Sequence, residues 1–425
     1  MVTKRGNKNY LRKGRNYVVG EGSNLRGKEK EKRDKEDRLS NLPDELIHRI
    51  LSTIDAKSCV QMSVLSKRWR NLWTTLPVLN LQDTSFSDPV LFESFVDHVL
   101  SHRDSSTNLH VVNFESYDDL QEGDVVDSII DYITDTPTVT ASIRLLSILA
   151  DQCVVGSLPD LSLCQSLTTL NLSRICAEAT PFEIVSLKSL YLIDCNFECG
   201  DEEVLDLFED CVNLRRLSLH NCNYYGGFQT FRIHAPQLTY LSISWMRIDE
   251  MFNSNCDIEL FTPKLQHFSY SDSDVYEFSS DEDLLSLEEF NVDVLLDEDT
   301  DSLVQLIELF EIMGSAKFVT LSTSIIEVMS MFPDELDGRS SPFTRLHDFK
   351  LNKDTPSSST VVPPKVMAYL FGGSPGFWFN RWKDKNSRDN SEGDPEEFQE
   401  ALSLQPFFNP RGVRNLTLIV DLHAG

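Results

Sequence analysis

The sequence has no run of eighteen or more apolar residues, so it offers no segment able to cross a bilayer as a helix. Its first residues are basic and polar and lack the apolar core of a secretory signal. These two absences point to an intracellular chain, acting in the nucleus or the cytoplasm and without membrane contact. Catalytic signatures are missing as well: there is no HExxH, no Walker loop, no GxSxG and no glycine-rich turn placed between a strand and a helix. The nine histidines are scattered without ligand spacing. No enzyme chemistry and no cofactor is expected.

Positive charge is scarce. The chain holds 39 Lys+Arg against 67 Asp+Glu, a net charge of -28 at pH 7. Much of the positive charge lies in residues 1–36, so the rest is still more acidic. A body of that sign repels phosphate backbones and argues against nucleic acid as the main partner. Its plain reading is a solvated surface, and its functional reading is a basic client protein. The first 36 residues contain few apolar side chains and read as a disordered basic tail, with Lys4-Arg5 and Arg12-Lys13-Gly14-Arg15 able to serve in nuclear import.

Paired CxxC motifs are lacking among the nine cysteines. Cys195, Cys199, Cys211 and Cys222 lie near one another, but their spacing does not match a zinc site, and an intracellular chain keeps all nine thiols reduced.

What is present begins at Asp37. Leu42, Leu46, Ile50, Leu51 and Ile54 follow the stripe of one helical face, with Pro43 suited to the first turn and Asp44 and Glu45 at its positive end. Asp55 can cap a second helix holding Cys59, Val60 and Val64, and Ser66 a third with Trp69, Leu72, Trp73 and Leu76. Three short helices give a very small core, which usually needs a neighbour or a partner chain.

Beyond Leu81 the pattern L-x-x-L-x-L recurs. It reads Leu167/Leu170/Leu172, Leu187/Leu190/Leu192, Leu214/Leu217/Leu219, Leu238/Leu241/Ile243, Leu265/Phe268/Tyr270 and Leu287/Phe290/Val292. Weaker copies are Leu109/Val112/Phe114, Ile143/Leu146/Ile148 and Leu346/Phe349/Leu351, with a degenerate one beginning at Phe318. The period is that of leucine-rich repeats, whose stacked strands bury the apolar positions and leave the alternate ones in solvent. Cys195 and Cys222 then fall where the repeat takes Asn or Cys after the strand, which makes them structural. Asp297, Asp299, Asp301 and Glu308 match part of a calcium loop, but Ser302 stands where the glycine is needed. The more economical reading is a helix capped by Asp301 through Leu303, Leu306, Ile307 and Phe310. Pro364 to Phe371 reads as one more helix stopped by Gly372-Gly373, and Leu416, Leu418 and Val420 as a last strand.

The block Asp37 to Leu51 resembles the opening of an F-box, and Ser63 to Trp73 resembles its close in the form common to plant F-box/leucine-rich-repeat proteins. The stretches His234 to Ile243 and Thr262 to Ser271 are similar to the repeats of the same family. Ile54-Asp55 replaces the family's usual Leu-Pro between the first two helices, and the FBD extension of many relatives is not recognised.

The resemblance implies an α/β chain: a small three-helix F-box followed by a leucine-rich-repeat solenoid with a curved parallel sheet. Its parts would be the tail 1–36, the F-box 37–80, the repeats 81–352 and an irregular segment 353–425. It further implies a non-catalytic substrate receptor of an SCF-type ubiquitin ligase. In that role Leu42 and Pro43 meet a Skp-type adaptor, with Leu46, Ile50, Leu51, Val64 and Leu65 adding apolar surface. The same residues also serve the small core. The adaptor connects to a cullin and a RING subunit. Tyr191, Arg216, His220, Tyr240 and His267, with Glu289 and Asp293 further on, are the outward strand positions where a client would bind. The alternative is a repeat scaffold acting outside any ligase.

Overall fold

The computed structural model describes residues 42–116, 124–155, 160–200, 202–248, 256–295, 300–352 and 362–372. The basic tail, Asp297 and Asp299 of the calcium-like match, the Pro/Ser stretch after Leu351 and the strand expected at Leu416 to Val420 lie outside them. The chain packs into two compact units, 1–143 and 144–425.

The first unit opens with helix α1 (Asp44–Leu51), preceded by Pro43 in an extended conformation as its cap residue. Helix α2 (Ala56–Met62) follows. Its cap is Asp55, whose carboxylate accepts the Ser58 amide at 2.9 Å, so aspartate does the capping here without a proline. The expected third helix is a tighter 3-10 segment, Trp69–Thr75. Ile47, Leu51, Cys59, Trp69 and Leu76 form the buried core, with Leu42, Ile54, Met62, Leu72 and Trp73 packed partly against it.

Strand β1 (Val78–Gln82) comes directly after, and strand β2 (Val111–Ser116) pairs with it in parallel. The pairing sets Leu79 beside Val112 and Leu81 beside Phe114. Leu76, Leu79 and Leu81 are therefore a copy of the repeat motif that begins inside the small helical module. The Asn80 side chain donates to the Ser52 and Ile54 carbonyls at 3.1 Å each, which ties the α1–α2 junction to this strand. Helix α3 (Pro89–His102), capped by Asp88 onto the Val90 amide, connects the two strands, and α4 (Asp124–Asp135) and α5 (Pro137–Ser142) complete the unit.

The second unit is a ladder of parallel strands. β3 (Leu145–Val155), β4 (Thr169–Glu178), β5 (Ser189–Ile193), β8 (Arg216–His220), β11 (Tyr240–Ser244), β14 (His267–Asp272), β16 (Glu289–Val294), β17 (Phe318–Ser322) and β18 (Asp348–Asn352) follow one another in that order. In β5, β8 and β11 alternate positions are buried, as one covered face requires. Leu190, Leu217, Leu241, Phe268 and Phe290 form one buried row across the strands. At β17 the inward positions are Val319 and Leu321, with buried Ala316 ahead of them, whereas Phe318 is 45% exposed. The degenerate copy thus starts at Ala316, two residues before the expected Phe318.

Between the main strands, Arg174, Asp194, Asn221 and Trp245 adopt left-handed backbone at equivalent places in four successive repeats. The amides of Asp194, Asn221 and Trp245 donate at 2.8 Å to the carbonyls of His220, Ser244 and Ser271 in the next repeat. Each turn leads into a side ladder in which β6 (Asn196–Glu198) joins the end of β4, followed by β9 (Asn223–Tyr225) and β12 (Arg247–Ile248). A second parallel sheet holds β7 (Val204–Asp206), β10 (Thr230–His234), β13 (Asp257–Phe261) and β15 (Glu277–Ser279).

Cys195 and Cys222 are fully buried, and each thiol donates to a carbonyl one repeat back, of Leu172 at 3.6 Å and Leu192 at 3.5 Å. They hold successive turns together, as the repeat reading expects. Cys176 is disulfide-bonded, which departs from the expectation that every thiol is reduced. Helix α6 (Thr300–Ile312) buries Leu303, Leu306, Ile307, Leu309 and Phe310, with Asp301 inside its first turn and not at its cap. Helix α7 (Thr323–Met331) follows β17. Helix α8 (Pro364–Phe371) ends at Gly372, whose φ of 65° suits glycine.

Candidate functional site

Two surfaces follow from this arrangement. The first is on the helical module. Along α1, Ile47 and Leu51 stand four residues apart and point into the core, at 0% and 2% exposure. Their neighbours Leu46 and Ile50, also four apart, are rotated out and are 47% and 44% exposed. After α2, Val64 and Leu65 are 86% and 57% exposed. Pro43 is exposed and Leu42 half-buried. Leu51, expected both to add surface and to serve the core, is buried in the core, because one helical turn places it under Ile47. The other residues named from the sequence for adaptor contact remain reachable from solvent. Four large apolar side chains thus face water on this small module.

The second surface is the outward side of the main ladder. Register fixes its rows. The first runs Ser189, Arg216, Tyr240, His267, Glu289 and Phe318. The second runs Tyr191, Ser218, Ser242, Ser269 and Asn291, and the third Ile193, His220, Ser244, Ser271 and Asp293. All five residues named from the sequence for client contact are on these rows.

Four of the first-row residues touch in sequence. The Arg216 guanidinium lies 5.4 Å from the centre of the Tyr240 ring, a cation–π distance. Tyr240 and His267 have ring centroids 6.2 Å apart, and His267 Nδ1 is 3.1 Å from the Glu289 carboxylate. Burial raises the Tyr240 hydroxyl above its ordinary pKa. His220, in the third row, hydrogen-bonds Ser244 through Nδ1 at 2.7 Å, and burial lowers its pKa. Ser218, Ser242 and Ser269 separate the first row from the third, in the row that Tyr191 begins.

Sequence reading missed Lys188 and Arg215, the exposed residues just ahead of β5 and β8. Their signal is plain in retrospect: both x positions of Leu214-Arg215-Arg216-Leu217 are basic in an acidic chain, and Lys188 holds the corresponding place one repeat earlier.

A polar recess of about 300 Å³ lies at the exits of the strands, lined by Arg174, Asp194, Asn196, Asn221 and Asn223. Its walls bind one another. Arg174 Nε is 3.3 Å from Asp194, Asn221 donates to Asp194 at 2.7 Å, and Asn223 to Asn196 at 2.6 Å. These contacts join successive repeats and account for the polar lining without a ligand. Among the described residues, no three His, Cys, Asp or Glu side chains gather as metal ligands, and no helix is long and apolar enough to cross a membrane.

The F-box domain model matches residues 39–81, from just ahead of α1 nearly to the end of β1. The relatives extend the likeness into the ladder. A putative FBD-associated F-box protein of Arabidopsis thaliana is 33% identical over 216 residues, 49% of this chain and 44% of its own length. The F-box/LRR-repeat protein 13 of the same plant is 31% identical over 255 residues, 58% of this chain and 54% of its own. The chain carries an F-box domain and is similar over part of its length to plant F-box/leucine-rich-repeat proteins. Another F-box protein of Arabidopsis thaliana aligns over 80% of this chain and 73% of itself at 27% identity. The first relatives matched are covered over only about half their length.

Proposed function

We propose that this protein is the substrate receptor of an SCF-type ubiquitin ligase. Its F-box would dock a Skp-type adaptor, joined in turn to a cullin and a RING subunit, and its outward sheet face would hold a client. The observation that carries the reading is the split along α1. Ile47 and Leu51 satisfy the core, while Leu46 and Ile50, with Val64 and Leu65, face solvent on a module whose buried core is five residues. An apolar surface of that kind is stable in water only at a cost that a partner removes.

The chemistry asked of this chain is positioning. Holding a client lysine near a charged ubiquitin-conjugating enzyme raises its effective concentration, and the receptor needs no nucleophile or acid–base pair of its own. Such a role belongs in the nucleus or cytoplasm, where ubiquitin ligases of this type act.

Co-purification with a Skp-type adaptor and a cullin tests the reading. The full chain should retain both, and the variant combining Leu42→Ala and Pro43→Ala should lose them while staying folded. Firm client binding by a wild-type chain that ignores every adaptor offered would favour the scaffold instead.

A further inference from the structure

Charge on the outward face is not arranged like charge on the rest of the molecule. Along the strand starts, backbone bonds place Arg144, Thr168, Lys188, Arg215, Thr239, Gln266, Glu288 and Lys317 in one row. From Arg144 to Gln266 this row contains three cations and no carboxylate. Arg216 adds a fourth cation in the adjoining row, directly beside Ser189 of β5 and Tyr240 of β11.

Elsewhere in this unit, five cations are neutralised. Arg174, Arg232, Lys317, Arg339 and Lys365 each have a carboxylate partner. Arg144, Lys188, Arg215 and Arg216 have no ion pair among the described residues, and all four are exposed. Other cations without an ion pair, such as Arg247 and Lys350, stand singly. At the opposite end of the face Glu288 is paired with Lys317 at 2.7 Å, and Glu289 lies 3.1 Å from His267 Nδ1. The face thus offers unpaired positive charge at β3–β8, whereas Glu288 at the β16 end has its own cation. This is the reverse of what the net charge of the chain suggests.

We propose that the β3–β8 end of this face grips an acidic stretch of the client polypeptide. Arg144, Lys188, Arg215 and Arg216 meet its carboxylates, and Tyr191 and Tyr240 pack against the side chains between them. The inference rests on the reading of this face as the client surface and names the chemistry it selects. Three strand spacings of ~4.8 Å separate β3 from β8, a span that roughly four extended residues cover. Two or three acidic residues within such a stretch match the cations. Arg216 is held over the Tyr240 ring in advance, so less side-chain freedom is lost when its planar guanidinium takes a carboxylate. Desolvated pairs of this type set specificity and orientation more than raw affinity.

Selection from a displayed library of short random peptides tests the proposal, with the purified full chain as bait. Wild type should enrich Asp- and Glu-rich peptides. The triple variant Lys188→Glu, Arg215→Glu, Arg216→Glu should bind them ~10-fold or more weakly at ~0.15 M salt, and should enrich Lys- and Arg-rich peptides instead. The single variant Lys188→Glu, with matching thermal unfolding, guards against a folding artefact. Repeating the titration with phosphoserine at the acidic positions tells a modified client from a constitutively acidic one. Basic or uncharged peptides selected by wild type, no peptide recovered, or equal binding by the triple variant would each overturn the proposal. Adaptor retention is measured on the same preparations, so the inference can fail here while the ligase reading stands.

Discussion

The Asp272 carboxylate accepts the backbone amide of Met246 at 2.9 Å, reaching back one repeat to do so. The position corresponds to Asn221 and Trp245 of the two preceding repeats, which turn left-handed there. Asp272 instead stays in its strand with its side chain inward, at 4% exposure. Burial pushes its pKa up to about 6, despite the amides of Ser273 and Met246, and Asp274 nearby adds to the rise.

That placement makes the repeat ladder sensitive to pH. A carboxyl whose pKa is higher folded than unfolded adds stability that is complete below its unfolded value and is lost as pH climbs through about 6. Asp272→Asn keeps the acceptor oxygen and removes the ionisation. Urea unfolding should show the variant gaining on wild type between pH 4 and pH 8, by at most ~2–3 kcal/mol. A difference that stays flat over this range would show that Asp272 is not the titrating group.

Neighbouring residues of α1 should separate stability from binding. Ile47→Ala empties a fully buried site and should cost ~2–4 kcal/mol of stability. Ile50→Ala, on the solvent side, should leave the unfolding midpoint nearly unchanged and weaken adaptor binding by ~2 kcal/mol. Thermal unfolding paired with calorimetric titration of the adaptor reads both. Equal destabilisation by the two changes would refute the assignment of faces.

How legible this was in the sequence depended on the element. The apolar period of Leu190/Leu192, Leu217/Leu219 and Leu241/Ile243 gave the ladder, since period two with one buried face has few other solutions. The F-box stripe was legible as a helix, but all its apolar residues looked alike. Only the 3.6-residue turn, made concrete, divides Ile47 and Leu51 from Leu46 and Ile50. The copy at Leu76/Leu79/Leu81 was hidden because the helical module runs straight into it, and the copy at Ala316 because alanine is a weak apolar marker. The left-handed turns at Arg174 and Trp245 left no trace, since neither residue type favours that backbone, and at Trp245 the amide bond to the Ser271 carbonyl holds it.

Thiol chemistry offers an independent check on the repeat packing. Cys195, Cys211 and Cys222 are fully buried, whereas Cys199 is partly open with its pKa pushed up to about 12 by burial. Mass spectrometry after alkylation of the native chain should find Cys195, Cys211 and Cys222 unmodified, with Cys199 labelled slowly. All three should react once urea unfolds the ladder. Rapid native labelling of Cys222 would mean that the turns are not stacked as described.

The central claim is that the exposed apolar face of the F-box is completed by another subunit. Calorimetric titration of the full chain with a purified Skp-type adaptor tests it most directly, comparing wild type with Val64→Asp and Leu65→Asp, two changes at solvent-facing positions. The account expects one-to-one binding by wild type, with a negative heat-capacity change from apolar burial, and a loss of ~10-fold or more in either variant without loss of fold. Binding of equal strength by all three chains, or none by wild type, would contradict it.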